Sequence, residues 1–169
     1  MRARILIAII TCCIAACSTA PRAGNNHQVY LVRHAEKQSD GSHDPALSGA
    51  GEQRSRQLAA WLKDKNIREI WSTDYQRSRD TADPALSMLG LELRVYDPGK
   101  LAGLARKLKN TRHNALIVGH SNTTPELARL LCDCAIDVMD ESEYDRLIMI
   151  SFVDGKTLQL TLRQDPLTQ

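Results

Sequence analysis

Two short apolar runs in this chain each end on a histidine: Val29-Tyr-Leu-Val-Arg33-His34 and Ala115-Leu-Ile-Val-Gly119-His120. Their length and β-branched content fit strands buried on both faces, the habit of a parallel sheet covered by helices. Open α/β sheets hold their ligands beyond the carboxyl ends of the strands. Both imidazoles are therefore expected at that end, where they could meet in one crevice.

The stretches between these runs alternate accordingly. A helix is predicted over 48–64, with Ser48 as N-cap and Gly51, Ser55, Leu58, Ala59 and Leu62 on its inner stripe. A strand over 69–72 precedes a helix that carries Arg77 and Thr81 on one face, four residues apart. Pro84 is expected to kink or restart that helix and Gly90 to end it. A strand over 91–96, a helix over 101–109 and the second histidine strand follow. Thr123-x-x-Glu126 has capping-box spacing, so a helix should open right after His120 with its amino end toward the site. Asp154-Gly155 between two strand patterns signals a hairpin. The expected fold is a three-layer α/β/α sandwich, its central sheet mostly parallel, with a C-terminal antiparallel hairpin. The acidic stretch 140–145 and the histidines at 27, 43 and 113 read as solvated surface.

The beginning of the chain has a different character. Residues 1–16 combine Arg2 and Arg4 with an apolar core and small residues, the pattern of a secretory signal and too short for a stable span. The run Ile14-Ala-Ala-Cys17-Ser18 resembles a bacterial lipobox, which implies cleavage before Cys17, lipid on that cysteine and a polar tether over 17–27. The folded domain would occupy 28–169, exported to the cell envelope, facing the periplasm or the extracellular side, and held to a membrane through Cys17. The whole chain has 22 basic and 20 acidic residues, and loss of Arg2 and Arg4 leaves the two balanced. No basic run or aromatic-interleaved patch remains, which argues against nucleic acid as a partner. Cys132 and Cys134 are read as packed thiols, because a Cys-x-Cys bridge closes a very small ring.

Phosphoryl transfer asks for an in-line nucleophile and cations around the phosphate oxygens. His34 could attack phosphorus through a neutral ring nitrogen, its other nitrogen holding the proton against a carbonyl or carboxylate. Arg33 and Arg77 offer planar forks suited to phosphate, and Asn122 could add a contact. His120 would help most as imidazolium, so the two rings are expected to titrate apart.

Three segments, Leu31-Val-Arg33-His34-Ala35-Glu36-Lys37, Ser72-Thr-Asp-Tyr-Gln-Arg77-Ser-Arg-Asp-Thr81-Ala82 and Val118-Gly-His120-Ser-Asn122, resemble the signatures of the histidine phosphatase superfamily, also called phosphoglycerate mutase-like. The resemblance runs in order over about 28–162. It implies that His34 is the phosphorylated nucleophile, that Arg33 and Arg77 bind phosphate, and that His120 completes the core, without metal or cofactor. Ala35 stands where many relatives have glycine. Asp97 and Glu36 are the two candidates for proton donor. The implied activity is a phosphatase of the short branch, acting on a small phosphorylated substrate or phosphoprotein and expected to be a monomer. A mutase-like phosphotransferase and a non-catalytic phosphate-binding lipoprotein are the alternatives.

Overall fold

The computed structural model describes residues 26–163. Its first strand, β1 (His27–Arg33), already states the architecture. Val29 and Leu31 enter one hydrophobic core, and Tyr30 and Val32 enter another on the opposite face. Side chains alternate across a pleated strand, so a strand apolar at every position must be covered twice.

The covering comes from alternating elements: α1 (Gly49–Leu62), β2 (Ile67–Ser72), α2 (Gln76–Leu89), β3 (Leu93–Val95), a 3-10 turn (Pro98–Lys100), α3 (Leu101–Asn110), β4 (Asn114–Gly119), α4 (Thr123–Cys132), β5 (Arg146–Val153) and β6 (Lys156–Arg163). Leu58, Leu62, Ala82 and Ala85 bring α1 and α2 against Tyr30, Ile70 and Leu116. Leu104, Leu108, Leu127 and Leu131 bring α3 and α4 against Leu31, Ile117 and Ile148 on the other side. Full burial of such side chains stabilises by roughly 1.5–3 kcal/mol each. The expected three-layer α/β/α sandwich is the observed fold.

Six strands run in the order β3-β2-β4-β1-β5-β6. β3, β2, β4 and β1 are mutually parallel, and the β5–β6 hairpin joins β1 antiparallel. Asp154 and Gly155, both at positive φ, make its turn. One register decides the function: β1 and β4 are direct neighbours with Arg33 opposite Gly119. His34 and His120 therefore leave the sheet at the same height, side by side.

Several expectations need correction. Pro84 does not restart its helix, since α2 runs through it to Leu89 and ends at Gly90 in the left-handed region. Proline costs the helix one hydrogen bond and crowds the carbonyl four residues back, and buried Ala82 and Ala85 hold the helix on both sides of it. The capping box does not form. Thr123 Oγ1 instead accepts from the His120 N–H at 2.9 Å, and Glu126 pairs with Arg129. Cys132 and Cys134 are joined in a disulfide with Cα atoms 5.1 Å apart. Asp133 between them takes φ 52°, which turns the two cysteines toward each other. His27 is buried, stacked on Phe152 and bonded to the Leu108 carbonyl, and His113 pairs with Glu69. His43 alone of the three is exposed. Segment 1–16, Cys17 and most of the tether lie outside the described residues. No helix among the described residues is long and apolar enough to cross a membrane.

Candidate active site

A cavity of about 440 Å³ opens at the carboxyl ends of β1, β2 and β4, lined by Arg33, His34, Lys37, Tyr75, Arg77, Pro98, His120, Ser121, Asn122, Thr123 and Glu141. Arg33, His34, Arg77, His120 and Asn122, drawn from three separate segments, are thus brought together. The His34 and His120 rings lie 5.4 Å apart, edge to face.

The His34 backbone N–H donates to the Gly119 carbonyl at 2.9 Å, which extends the β1–β4 ladder to the histidine itself. Its Nδ1 sits 2.9 Å from the Ala35 carbonyl. A carbonyl only accepts, so Nδ1 carries the proton and Nε2 keeps its lone pair. Burial pushes the ring down to about pKa 4, against the Ala35 bond and with help from Arg33, His120 and Arg77. Ala35 donates to Thr81 Oγ1, whose hydroxyl donates to the Arg77 carbonyl, so α2 is tied to the loop after the nucleophile. Ala35 is not among the residues with positive φ, which explains why glycine is not required there. Gly51 is required: a Cβ would lie 2.1 Å from the Glu36 carbonyl oxygen, where α1 crosses that loop.

His120 Nε2 lies 3.0 Å from Thr73 Oγ1, and the Thr73 hydroxyl donates to Ser78 Oγ, leaving its oxygen to accept from the ring. Tyr75 packs edge-on against the ring at 5.1 Å. Burial, then Arg77 and Arg33, push His120 down to about pKa 4 as well. The expected divergence of the two rings is therefore corrected: both are neutral at neutral pH, because desolvation and two guanidiniums act on both. A phosphate dianion between them would favour the charged form of His120.

Among the described residues, the buried side-chain nitrogens without a partner are Arg33 Nε and Arg77 Nε. A buried unpaired guanidinium N–H is costly, and an oxyanion accepting from both would remove that cost. Arg77 otherwise meets Asp44 at 3.3 Å and lies 4.4 Å over the Tyr75 ring. The closed loop 38–46 delivers Asp44, whose carboxylate also caps α2 at the Gln76 N–H. Arg33 is engaged on its outer edge: Nη1 donates to the carbonyls of Asp140, Glu141 and Glu143, and Nη2 to the Glu141 carboxylate. Tyr144 covers its guanidinium at 4.2 Å.

Segment 140–145 is consequently part of the site rather than plain surface. Its acids had suggested solvent, and only Tyr144 among them hinted at packing. Neither donor candidate lines the cavity. Asp97 is exposed and holds the Gly99 N–H and Lys100, while Glu36 is gripped by Arg54 through three hydrogen bonds. Glu141 is the carboxylate that does line it. Asn122 is exposed at the rim and makes no capping bond for α4. Among the described residues no group of three or more His, Cys, Asp or Glu is placed to hold a metal.

A family model, the histidine phosphatase superfamily (branch 1), matches residues 29–98, the stretch that carries Arg33, His34 and Arg77. A probable phosphoglycerate mutase, GpmB, of Escherichia coli O139:H28 is 35% identical over 92 residues, 51% of this chain and 42% of its own length. The chain thus spans about two fifths of the curated relatives it matches. The structure of the protein histidine phosphatase SixA complexed with tungstate superposes with a TM-score of 0.67 at 19% identity, covering 83% of this chain and 99% of that one. A mycobacterial glucosyl-3-phosphoglycerate phosphatase superposes at 0.63 and 14% identity, covering 82% and 98%. At these identities the solved structures share the fold.

Proposed function

We propose that this chain belongs to the histidine phosphatase superfamily, a reading supported by the family model over residues 29–98 and by curated relatives 35% identical over 92 residues, and that it is a metal-independent phosphatase working through a phosphohistidine on His34. The observation that carries this reading is the pair of facing imidazoles between two arginines whose buried Nε–H groups have no partner. Phosphate oxygens would accept from Arg33, Arg77 and His120, with the amino end of α4 behind them. The Nε2 lone pair of His34 forms a bond to phosphorus while the bond to the leaving group breaks, its electron pair departing with that group, which takes up a proton from solvent. Water then attacks the phosphohistidine, the P–N bond breaks, its electron pair returns to Nε2, and inorganic phosphate leaves. The Ala35 carbonyl would hold the Nδ1 proton throughout, stabilising the charge that develops on the ring.

Because the carboxylates of Asp97 and Glu36 are engaged elsewhere, leaving groups that depart with little protonation are favoured, such as aryl phosphates and phosphohistidine-like phosphoramidates. The physiological partner would be a small phosphorylated compound or a phosphoprotein. The same proposal puts the domain on a lipid anchor at Cys17, at the cell envelope. Turnover of an aryl phosphate by the full chain, abolished in His34→Ala, is the expected outcome. Phosphate binding without turnover in the wild type would favour a binding protein instead, and transfer to an added alcohol in preference to water would favour a mutase.

A further inference from the structure

Cavity depth sorts the lining residues by role. Arg33, His34 and Thr123 are buried at the floor, whereas Lys37, Asn122 and Glu141 are exposed at the rim. A phosphoryl group seated on the floor must send whatever carries it out past that rim. Between Arg33 and Glu141 the contrast is sharp: their side chains are 2% and 80% exposed. The charge that an arriving partner meets there is the carboxylate.

That carboxylate is held in place. The Ser121 hydroxyl donates to its Oε1, Arg33 Nη2 donates to its Oε2 at 2.8 Å, and its own main-chain carbonyl accepts from Arg33 Nη1 at 2.7 Å. The Ser121 bond, and after it the Arg33 charge, hold the carboxyl below its ordinary range, so it is ionised and a poor proton donor at neutral pH. Lys37 contributes the other rim charge, but its anchoring is the backbone bridge to Leu47. An exposed ammonium on a flexible stem is screened and pays rotamer entropy on pairing, so the fixed charge dominates.

We propose that Glu141 is a specificity-determining residue, favouring phosphoryl groups carried on cationic partners, amine- or imidazolium-bearing, and disfavouring those carried on carboxylates. The inference rests on the phosphatase reading and narrows its substrate class. It also accounts for a site that spends one outer edge of a clamp arginine on a carboxylate: the charge left facing the mouth is negative while the floor stays cationic.

The test compares full-length wild type with Glu141→Gln, which keeps the shape and lets the amide oxygen accept from Arg33 while the Ser121 hydroxyl turns to accept from the amide N–H, on phosphocholine, 4-nitrophenyl phosphate and 3-phosphoglycerate. For unit charges several ångströms apart near a surface, kcat/KM for 3-phosphoglycerate relative to the nitrophenyl ester should rise roughly 3- to 7-fold in the variant. The phosphocholine ratio should fall by a similar factor, and both changes should shrink at high salt. A common factor for all three probes would overturn the proposal, since it would mean that Glu141 only tempers Arg33. Absence of turnover of every probe by the wild type would sink the phosphatase reading alone. The same ratios, measured as calorimetric affinities for wild type and variant, would then decide for or against Glu141.

Discussion

Mild acid probes the desolvation that shapes this site. In the folded protein His34 and His120 are each pushed from 6.5 to about 4, chiefly by burial and then by the surrounding cations. The unfolded chain returns both rings to water and to about 6.5. Between those values the unfolded state binds more protons than the folded one, so stability rises with pH there. The contribution is fully present above the unfolded pKa and is lost as pH falls toward 4. At about 1.36 kcal/mol per pH unit, the full loss approaches roughly 3.4 kcal/mol per ring, of which about 2 kcal/mol is gone by about pH 5. One proton admitted to the crevice repels the second, and His120 is partly exposed, so about 3 kcal/mol is expected for the pair between about pH 7.5 and about pH 5. Urea denaturation at both values measures it, with the His34→Asn/His120→Asn double variant as reference. The wild type should lose about 3 kcal/mol more than the double variant. Equal losses in the two proteins would refute the claim that both rings are held neutral by their surroundings.

Other perturbations address the clamp and the crossing beneath it. Arg77→Ala should lower kcat/KM for an aryl phosphate by about 2–4 kcal/mol of transition-state stabilisation with the fold intact, the scale of losing one preorganised donor; an unchanged rate would remove Arg77 from the clamp. Gly51→Ala forces a Cβ to 2.1 Å from the Glu36 carbonyl, and should destabilise by about 1–3 kcal/mol or more. Gly103→Ala, with open space around the new methyl group, should stabilise α3 by roughly 0.5–1 kcal/mol. Urea midpoints of the two glycine variants, moving in opposite directions, check the pair.

Much of this was legible in the sequence because the determinants are local and periodic. Apolar runs fixed the buried strands, Ser48 and Gly90 bounded their helices, and Asp154-Gly155 made its hairpin. The two histidines could be matched because each follows its strand directly. What escaped depends on pairings distant in sequence. Asp44 reaches Arg77 across 33 positions, and Glu141 reaches Arg33 across 108. Nothing in an acidic stretch says that its carbonyls will accept from a buried guanidinium. The titration of His120 escaped for the same reason, since its position and helix suggested a cation while burial, the largest cause of its lowered pKa, is set by packing against segments distant in sequence. Thr123 was misjudged because a threonine at a helix start can serve the strand end before it as well as the helix after it.

The central claim is a covalent bond between phosphorus and one ring. Rapid quenching of the full chain with a ³²P-labelled aryl phosphate, followed by peptide mapping, tests it directly. The account predicts acid-labile, alkali-stable label on the peptide containing His34, and none in His34→Ala. Turnover of the ester with label on His120 or on no histidine would contradict it.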